Sequence, residues 1–482
     1  MLFNSYGFIF AFLPISFFIY FYLNHKRLGI LAKIWLVFAS LFFYSWWNIA
    51  YLPLIVISVL FNYLIASCII SSIKLNDKYF SKKILLKIGL VFNIGLLAYF
   101  KYADFFISNT NSLINTDISL LYLTLPLAIS FFTLQQIAFL VDSYEGLAKE
   151  KNFLDYTIFV TFFPQLIAGP IVHHKEMMPQ FRNIRNKLKN YNNVAMGLFI
   201  FSIGLFKKVV IADTFAIWAT SGFDTATSLN LLEAWFTSLS YTFQLYFDFS
   251  GYTDMAIGAA LLFNIKLPVN FNSPYRATGI IDFWKRWHIT LSNFITVYIY
   301  TPLVRSFDQL TFHKAMIATF VTFLIAGLWH GASWMFVIFG GLHGIALVVN
   351  NYWKKTKIKI NKVLAWFITF NFVNITMVFF RATEFEDATK VLSSMFSLDN
   401  IMLPFLNNYD VEFGQFTQNI EGMSFTFAFL VFGFIMVLFF ENSTKKLSNF
   451  KFNFTNSFIF VMAFSMSFYK LSGYSEFLYF RF

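Results

Sequence analysis

Apolar residues run in long, nearly unbroken stretches along this chain, separated by short polar segments. The stretches cover roughly 6–24, 30–47, 50–70, 84–101, 119–141, 153–172, 193–218, 231–262, 315–350, 363–380, 424–440 and 456–472. A helix crosses the hydrocarbon core of a bilayer with about 20 apolar residues. Most of these stretches have the length of a span, and 315–350 reads as a pair of short helices. With the irregular pieces, the pattern predicts about 11 to 13 membrane-embedded segments. No internal repeat, low-complexity linker or soluble domain separates them. The expected fold is an all-α polytopic membrane protein, a single integral membrane domain over 1–482.

Two stretches carry their own interruptions. Leu125-Pro126 and Gly169-Pro170 prevent a regular helix. Broken backbone at membrane depth is allowed only where protein buries it or where it lines a cavity. One of 119–141 and 153–172 is therefore expected to be re-entrant, and the breaks point to an internal chamber.

Composition agrees with a bilayer as solvent. Hydrophobic residues make up 58% of the 482 and charged residues 12%, about half the roughly 25% of a soluble domain. Mean hydropathy is +0.63. The 70 phenylalanines carry no functional reading of their own.

A formal net charge of +12 invites a nucleic-acid partner, but the location of the charge argues against one. Basic residues gather in short loops, as the positive-inside rule expects. Residues 71–88 hold Lys74, Lys78, Lys82, Lys83 and Lys87 against Asp77, and 174–190 hold Lys175, Arg182, Arg185, Lys187 and Lys189 against Glu176. Residues 351–362 hold Lys354, Lys355, Lys357, Lys359 and Lys362 with no acid. Residues 381–423 carry seven acids against Arg381 and Lys390 and belong outside. The first apolar run has no Lys or Arg before it, and His25-Lys26-Arg27 follow it, the reverse of a signal peptide. Both termini are expected on the extracytoplasmic side. The single cysteine, Cys68, excludes an internal disulfide and reads as inert packing.

Residues 244–290 are the least lipid-like part of the chain. They read Gln244-Leu-Tyr-Phe-Asp248-Phe-Ser-Gly-Tyr-Thr-Asp254, then Pro268-Val-Asn270-Phe-Asn272-Ser-Pro274-Tyr-Arg276, then Asp282-Phe-Trp-Lys285-Arg286-Trp287-His288. Gln244 and Asp248 are four apart and share a helix face. An acid inside the membrane is costly and marks function. It equally marks a structural tie, with Asp248 met by an arginine or backbone amides.

Among seven histidines, His330 stands apart, in Ala326-Gly-Leu-Trp-His330-Gly-Ala-Ser-Trp334, with no other ionisable group from Ala315 to Leu342. A neutral imidazole there has the chemistry of a general base. A core histidine donating to a helix carbonyl fits the same residues. His343 reads as packing. His25 and His313, beside Lys or Arg, read as solvated. His173 and His174 are adjacent, project in different directions and make a poor metal pair, so no metal is expected. No phosphate loop, paired-histidine zinc helix or Gly-x-Ser-x-Gly elbow competes.

Several segments together resemble one family. Met1-Leu-Phe-Asn-Ser-Tyr-Gly-Phe opens the chain, and Phe163-Pro-Gln-Leu-Ile-Ala-Gly-Pro170 follows. Tyr246-Phe-Asp248-Phe-Ser-Gly-Tyr-Thr-Asp254, Asn270-Phe-Asn-Ser-Pro-Tyr-Arg276, Phe283-Trp-Lys-Arg-Trp-His288-Ile-Thr-Leu-Ser292 and Gly327-Leu-Trp-His330-Gly-Ala lie at the centre. Phe379-Phe-Arg381-Ala and Phe477-Leu-Tyr479-Phe480 lie near the end. Across nearly the whole chain they resemble the membrane-bound O-acyltransferase family, in its alginate and peptidoglycan O-acetyltransferase branch. Tyr298-Ile-Tyr300-Thr-Pro302-Leu-Val departs from the Pro-Leu-Gly-Gly more common there.

The resemblance implies a ring of tilted and re-entrant helices around a tunnel, with core motifs over 160–350. It implies His330 as the catalytic histidine and His288 as the second polar residue. Gln244, Asp248, Asp254, Asn272, Arg276, Lys285, Arg286 and Trp329 are candidates for the substrate tunnel. Acetyl-CoA is the implied donor, arriving from the cytoplasm, with Lys285 and Arg286 facing its phosphates and His288 or backbone amides stabilising the oxyanion. The implied acceptor is an extracytoplasmic polysaccharide, peptidoglycan first, with alginate, another exopolysaccharide or D-alanylation of teichoic acid as alternatives, reached through a periplasmic SGNH-type serine esterase-like partner in a bacterial inner membrane. Tyr479, in the tail 473–482, is a candidate acyl relay, and an interfacial aromatic belt explains the same rings. A lipid-linked sugar transporter or flippase and a passive membrane anchor are the rival classes. The first is weakened by the lack of repeats.

Overall fold

In hydrocarbon a backbone must satisfy its own hydrogen bonds, which leaves helices and closed barrels as spanning structures. The computed structural model describes residues 1–75, 81–397, 423–472 and Leu478, and among them every regular element is helical. Among the described residues, seven helices are long and apolar enough to span: Gly7–His25, Ile49–Ile73, Lys82–Ile114, Tyr191–Thr225, Phe312–His330, Trp334–Thr356 and Lys362–Arg381. Gly29–Ser45 and Ser424–Phe439 are shorter apolar helices. The pair of helices expected over 315–350 is present. Most of the acidic stretch 381–423 lies outside the described residues, but its start folds as the helix Phe385–Phe396.

Both interrupted stretches are irregular at the expected prolines, and the second also divides earlier, at Phe162. The chain is irregular up to Leu127, Ala128 turns at φ 60°, and the helix begins only at Ile129. The second stretch divides into Phe153–Thr161 and Phe163–Leu166. A Cβ on Gly169 would lie 2.5 Å from the Gln165 Cα, so the backbone folds back there only with glycine. Neither stretch is a plain span. Cys68, expected in packing, lies on an exposed face of its helix.

The chain forms two compact units. The first comprises Met1–Leu205, Tyr252–Val269 and Phe450–Ala463. Its core is aromatic: Phe8 meets Phe43 at 5.7 Å and Phe163 at 6.1 Å, and Phe3 stacks on Tyr252 at 4.7 Å. Asn62 and Asn93, both fully buried, exchange side-chain hydrogen bonds at 3.2 and 2.6 Å, an amide pair that ties two helices where lipid offers no partner. At the polar edge of this unit Lys33 pairs with Asp155, and Arg182 with Glu150. His174 lies 3.5 Å from the same Glu150. Arg182 already neutralises that carboxylate, and burial pushes the His174 imidazole down to about 4 while Asp142 and Asp155 pull it up.

The second unit comprises Phe206–Gly251, Asn270–Asn449 and Phe464–Phe482. Helices Phe312–His330 and Trp334–Thr356 pack back to back through glycine. A Cβ on Gly327 would sit 2.3 Å from the Phe336 carbonyl, and one on Gly340 2.4 Å from the Phe323 carbonyl. Such close approach gives van der Waals contact in a setting without hydrophobic drive. Arg381, buried at the end of its helix, pairs with Asp224 at 2.5 Å and lies over the rings of Phe223 and Tyr241.

Candidate active site

Helix Leu231–Leu262 supplies the first polar groups. Gln244 and Asp248 share a face as their spacing requires, and both are buried. The partner of Asp248 is Lys208, in the π-helical stretch Lys207–Ala212. Its ammonium lies 2.7 Å from Asp213 and 2.7 Å from Asp248, and Lys208 is 2% exposed. The sequence reading missed Lys208, whose signal was a charge inside the apolar run 193–218. Gln244 Oε1 is buried without a hydrogen-bond partner among the described residues. Asp254 is buried on the same helix, in the stretch that belongs to the other unit.

Residues 270–290 fold as two segments laid side by side. The Asn272 amide donates to the Arg286 carbonyl at 2.9 Å, and the Ile289 amide to the Asn270 carbonyl at 2.9 Å. Between them His288 adopts φ 43°, ψ 54°, a left-handed conformation that non-glycine residues seldom take and that is often held at functional sites. His288 is 1% exposed. Its Nδ1 lies 3.1 Å from Asn270 Oδ1, and its ring meets Phe249 at 4.8 Å.

Three tunnel candidates on this segment have structural partners. Arg276 donates to the carbonyls of Val437 and Phe440 at the end of helix Met423–Phe439, where a cation suits the helix dipole. Asn272 Oδ1 accepts from Asn442 at 2.8 Å. Arg286 pairs with Asp282 at 2.8 Å. Lys285 beside it is exposed.

His330 ends helix Phe312–His330, 6% exposed. Its ring lies 5.1 Å from Phe380, 6.1 Å from Phe339 and 5.0 Å from Trp329. The next residue, Gly331, leaves room for the Phe336 ring, which a Cβ there would meet at 2.1 Å. His343 contrasts with it. Trp284 Nε1 donates to His343 Nδ1 at 3.2 Å, and Nε2 lies 3.0 Å from Thr376 Oγ1, whose own hydrogen goes to the Val373 carbonyl at 2.8 Å. Both ring nitrogens are engaged, which suits the packing role expected of His343. A run of ring contacts, Phe249–Phe271–Trp287–Phe283–His343–Phe339, connects the surroundings of His288 with those of His330. Tyr479 lies outside the described residues, and no group of three His, Cys, Asp or Glu among the described residues is placed to hold a metal.

Comparison with known proteins bears on the same segments. The model of the membrane-bound O-acyltransferase family matches residues 149–383, which include both histidines. A peptidoglycan O-acetyltransferase of Helicobacter pylori is 47% identical over 100% of this chain and 98% of its own length. A probable alginate O-acetylase of Pseudomonas aeruginosa is 36% identical over 84% of this chain and 77% of its own. A teichoic acid D-alanyltransferase of Bacillus subtilis is 27% identical over 54% and 69%. With a buried histidine at the end of a membrane helix and a likeness that runs from end to end, this chain belongs to the membrane-bound O-acyltransferase family, multi-pass enzymes that transfer acyl groups.

Proposed function

We propose that this protein takes an acetyl group from acetyl-CoA on the cytoplasmic side of a bacterial inner membrane and delivers it for O-acetylation of peptidoglycan outside. The observation that carries the chemistry is His330, a buried imidazole boxed by Phe339, Phe380 and Trp329. The choice of glycan rests on the end-to-end likeness to the Helicobacter peptidoglycan enzyme.

His330 takes the proton of an acceptor hydroxyl as its oxygen attacks the thioester carbonyl. A C–O bond forms, the C–S bond breaks, and the imidazolium returns the proton to the departing thiolate. A surrounding of rings keeps water from competing for the acyl group. The phosphates of the donor would meet Lys285, since Arg286 is engaged by Asp282. Delivery to glycan would use a periplasmic SGNH-type esterase-like partner, with Tyr479 as the intermediate ester and both termini extracytoplasmic.

The test is acetyl transfer from labelled acetyl-CoA to peptidoglycan, with the periplasmic partner supplied, in membranes carrying wild type or His330→Ala at equal abundance. Loss of ester in the variant supports the reading. A variant that still forms ester removes His330 from the mechanism, and one that moves substrate with no ester formed by either chain favours a transporter. Transfer to alginate in place of peptidoglycan is the second reading, favoured by the 36% likeness to the Pseudomonas enzyme, and the same assay run on both glycans separates the two.

A further inference from the structure

Asn270 and His288 form a bonded unit whose hydrogens can be placed. Asn270 Oδ1 accepts from the Thr290 backbone amide at 3.2 Å and from Thr290 Oγ1 at 2.9 Å. A backbone N–H can only donate, so the atom facing it is the oxygen and the amide orientation is fixed. The same oxygen lies 3.1 Å from His288 Nδ1, and an oxygen acceptor there requires the hydrogen on Nδ1. In a neutral ring the lone pair is then on Nε2, which is buried and has no hydrogen-bond partner among the described residues. His343 has both nitrogens satisfied; His288 has one left over. A buried polar atom without a partner is rare in a folded protein and calls for a functional explanation.

We propose that Asn270 is a positioning residue that locks His288 in the Nδ1–H tautomer, so that Nε2 receives a hydrogen bond from the substrates of the transfer. Neutral His288 then serves as an acceptor through Nε2 and does not donate to the oxyanion. The group received is an X–H donor: an amide N–H of the thioester arm, or a hydroxyl of the acceptor other than the one His330 deprotonates. The left-handed backbone of His288 and the paired amides on either side of it hold the ring for this task. The inference rests on the acyl-transfer reading above.

The full chain in membranes, given acetyl-CoA, peptidoglycan and the periplasmic partner and assayed by thiol release against pH, tests it with two substitutions. Asn270→Asp keeps an oxygen facing Nδ1 and adds a negative charge, which stabilises the imidazolium. Because the acceptor role needs the neutral ring, and burial holds the wild-type imidazole well down, the added carboxylate should bring in a further loss of activity at the acid end that wild type, limited there by His330, does not show. Above that range, activity should stay within about tenfold of wild type, a margin of about 1.4 kcal/mol in the barrier. The charged groups nearby, Asp282, Lys285 and Arg286 on the same segment and Asp248 on the helix of Phe249, are the same in both variants. Asn270→Leu frees the tautomer and should lose about 100-fold or more at every pH, as removal of a tautomer-fixing partner does elsewhere. In the Asp variant a raised KM for acetyl-CoA assigns the thioester arm, and a raised KM for peptidoglycan assigns the hydroxyl. An unchanged profile in Asn270→Asp, or a Leu variant as active as wild type, overturns the proposal. An active His330→Ala chain overturns the acyl-transfer reading itself, so the two failures are distinguishable.

Discussion

At the residue scale the account turns on buried charge and buried lone pairs. Lys208 offsets two carboxylates in a surrounding where an isolated ion is expensive. Lys208→Met should therefore cost about 3–5 kcal/mol, seen as loss of folded protein from the membrane. Adding Asp213→Asn and Asp248→Asn should recover much of it, because the two carboxylates that faced the ammonium are then neutral. A triple variant as unstable as the sum of its parts would contradict the pairing. The His174 imidazole, pushed down to about 4 from 6.5, gives a second prediction. Between those values the unfolded chain binds a proton that the native state refuses, so stability rises with pH across that window. Melting in detergent should show His174→Gln losing less stability than wild type on going from pH 7 to 5; equal losses would contradict it.

What the sequence disclosed at this scale follows from spacing. Gln244 and Asp248 are one turn apart, and the structure keeps them on one face. The tie between Asp248 and Lys208 was hidden, because Lys208 comes from a distant stretch and only the fold brings it to Asp248. Asn270 was hidden for the same reason. It stands 18 residues before His288, a separation that no local periodicity encodes.

At the scale of elements, proline and glycine were the most legible signals. Pro126 and the Gly169-Pro170 pair mark irregular backbone, as their missing amide and forced φ require. Regular spans were harder to count, since an apolar stretch gives its length but not whether it runs straight. The helix pair Phe312–His330 and Trp334–Thr356 offers a sharp comparison of neighbours. At Gly340 a new Cβ meets backbone at 2.4 Å, whereas at Gly341 its nearest contact is the end of Leu324 at 3.5 Å. Gly340→Ala should cost about 1–3 kcal/mol by overpacking and depress transfer by shifting the helix that carries His330. Gly341→Ala should be close to neutral. Equal melting temperatures and rates for the two would contradict the packing described.

At the scale of the whole molecule, family and fold class were legible because they are written in many short segments at once, from the opening residues to Phe379-Phe-Arg381-Ala. Acceptor identity is not written that way. It depends on the surface offered outside, and relatives that share this scaffold carry the names of peptidoglycan, alginate and teichoic acid enzymes. Transfer across the bilayer is therefore the claim to test. The direct measurement uses sealed vesicles loaded with labelled acetyl-CoA on the cytoplasmic side and peptidoglycan with its periplasmic partner outside. The account predicts labelled ester on the outer glycan with wild type and none with His330→Ala at equal abundance; ester formed equally by both chains would contradict it.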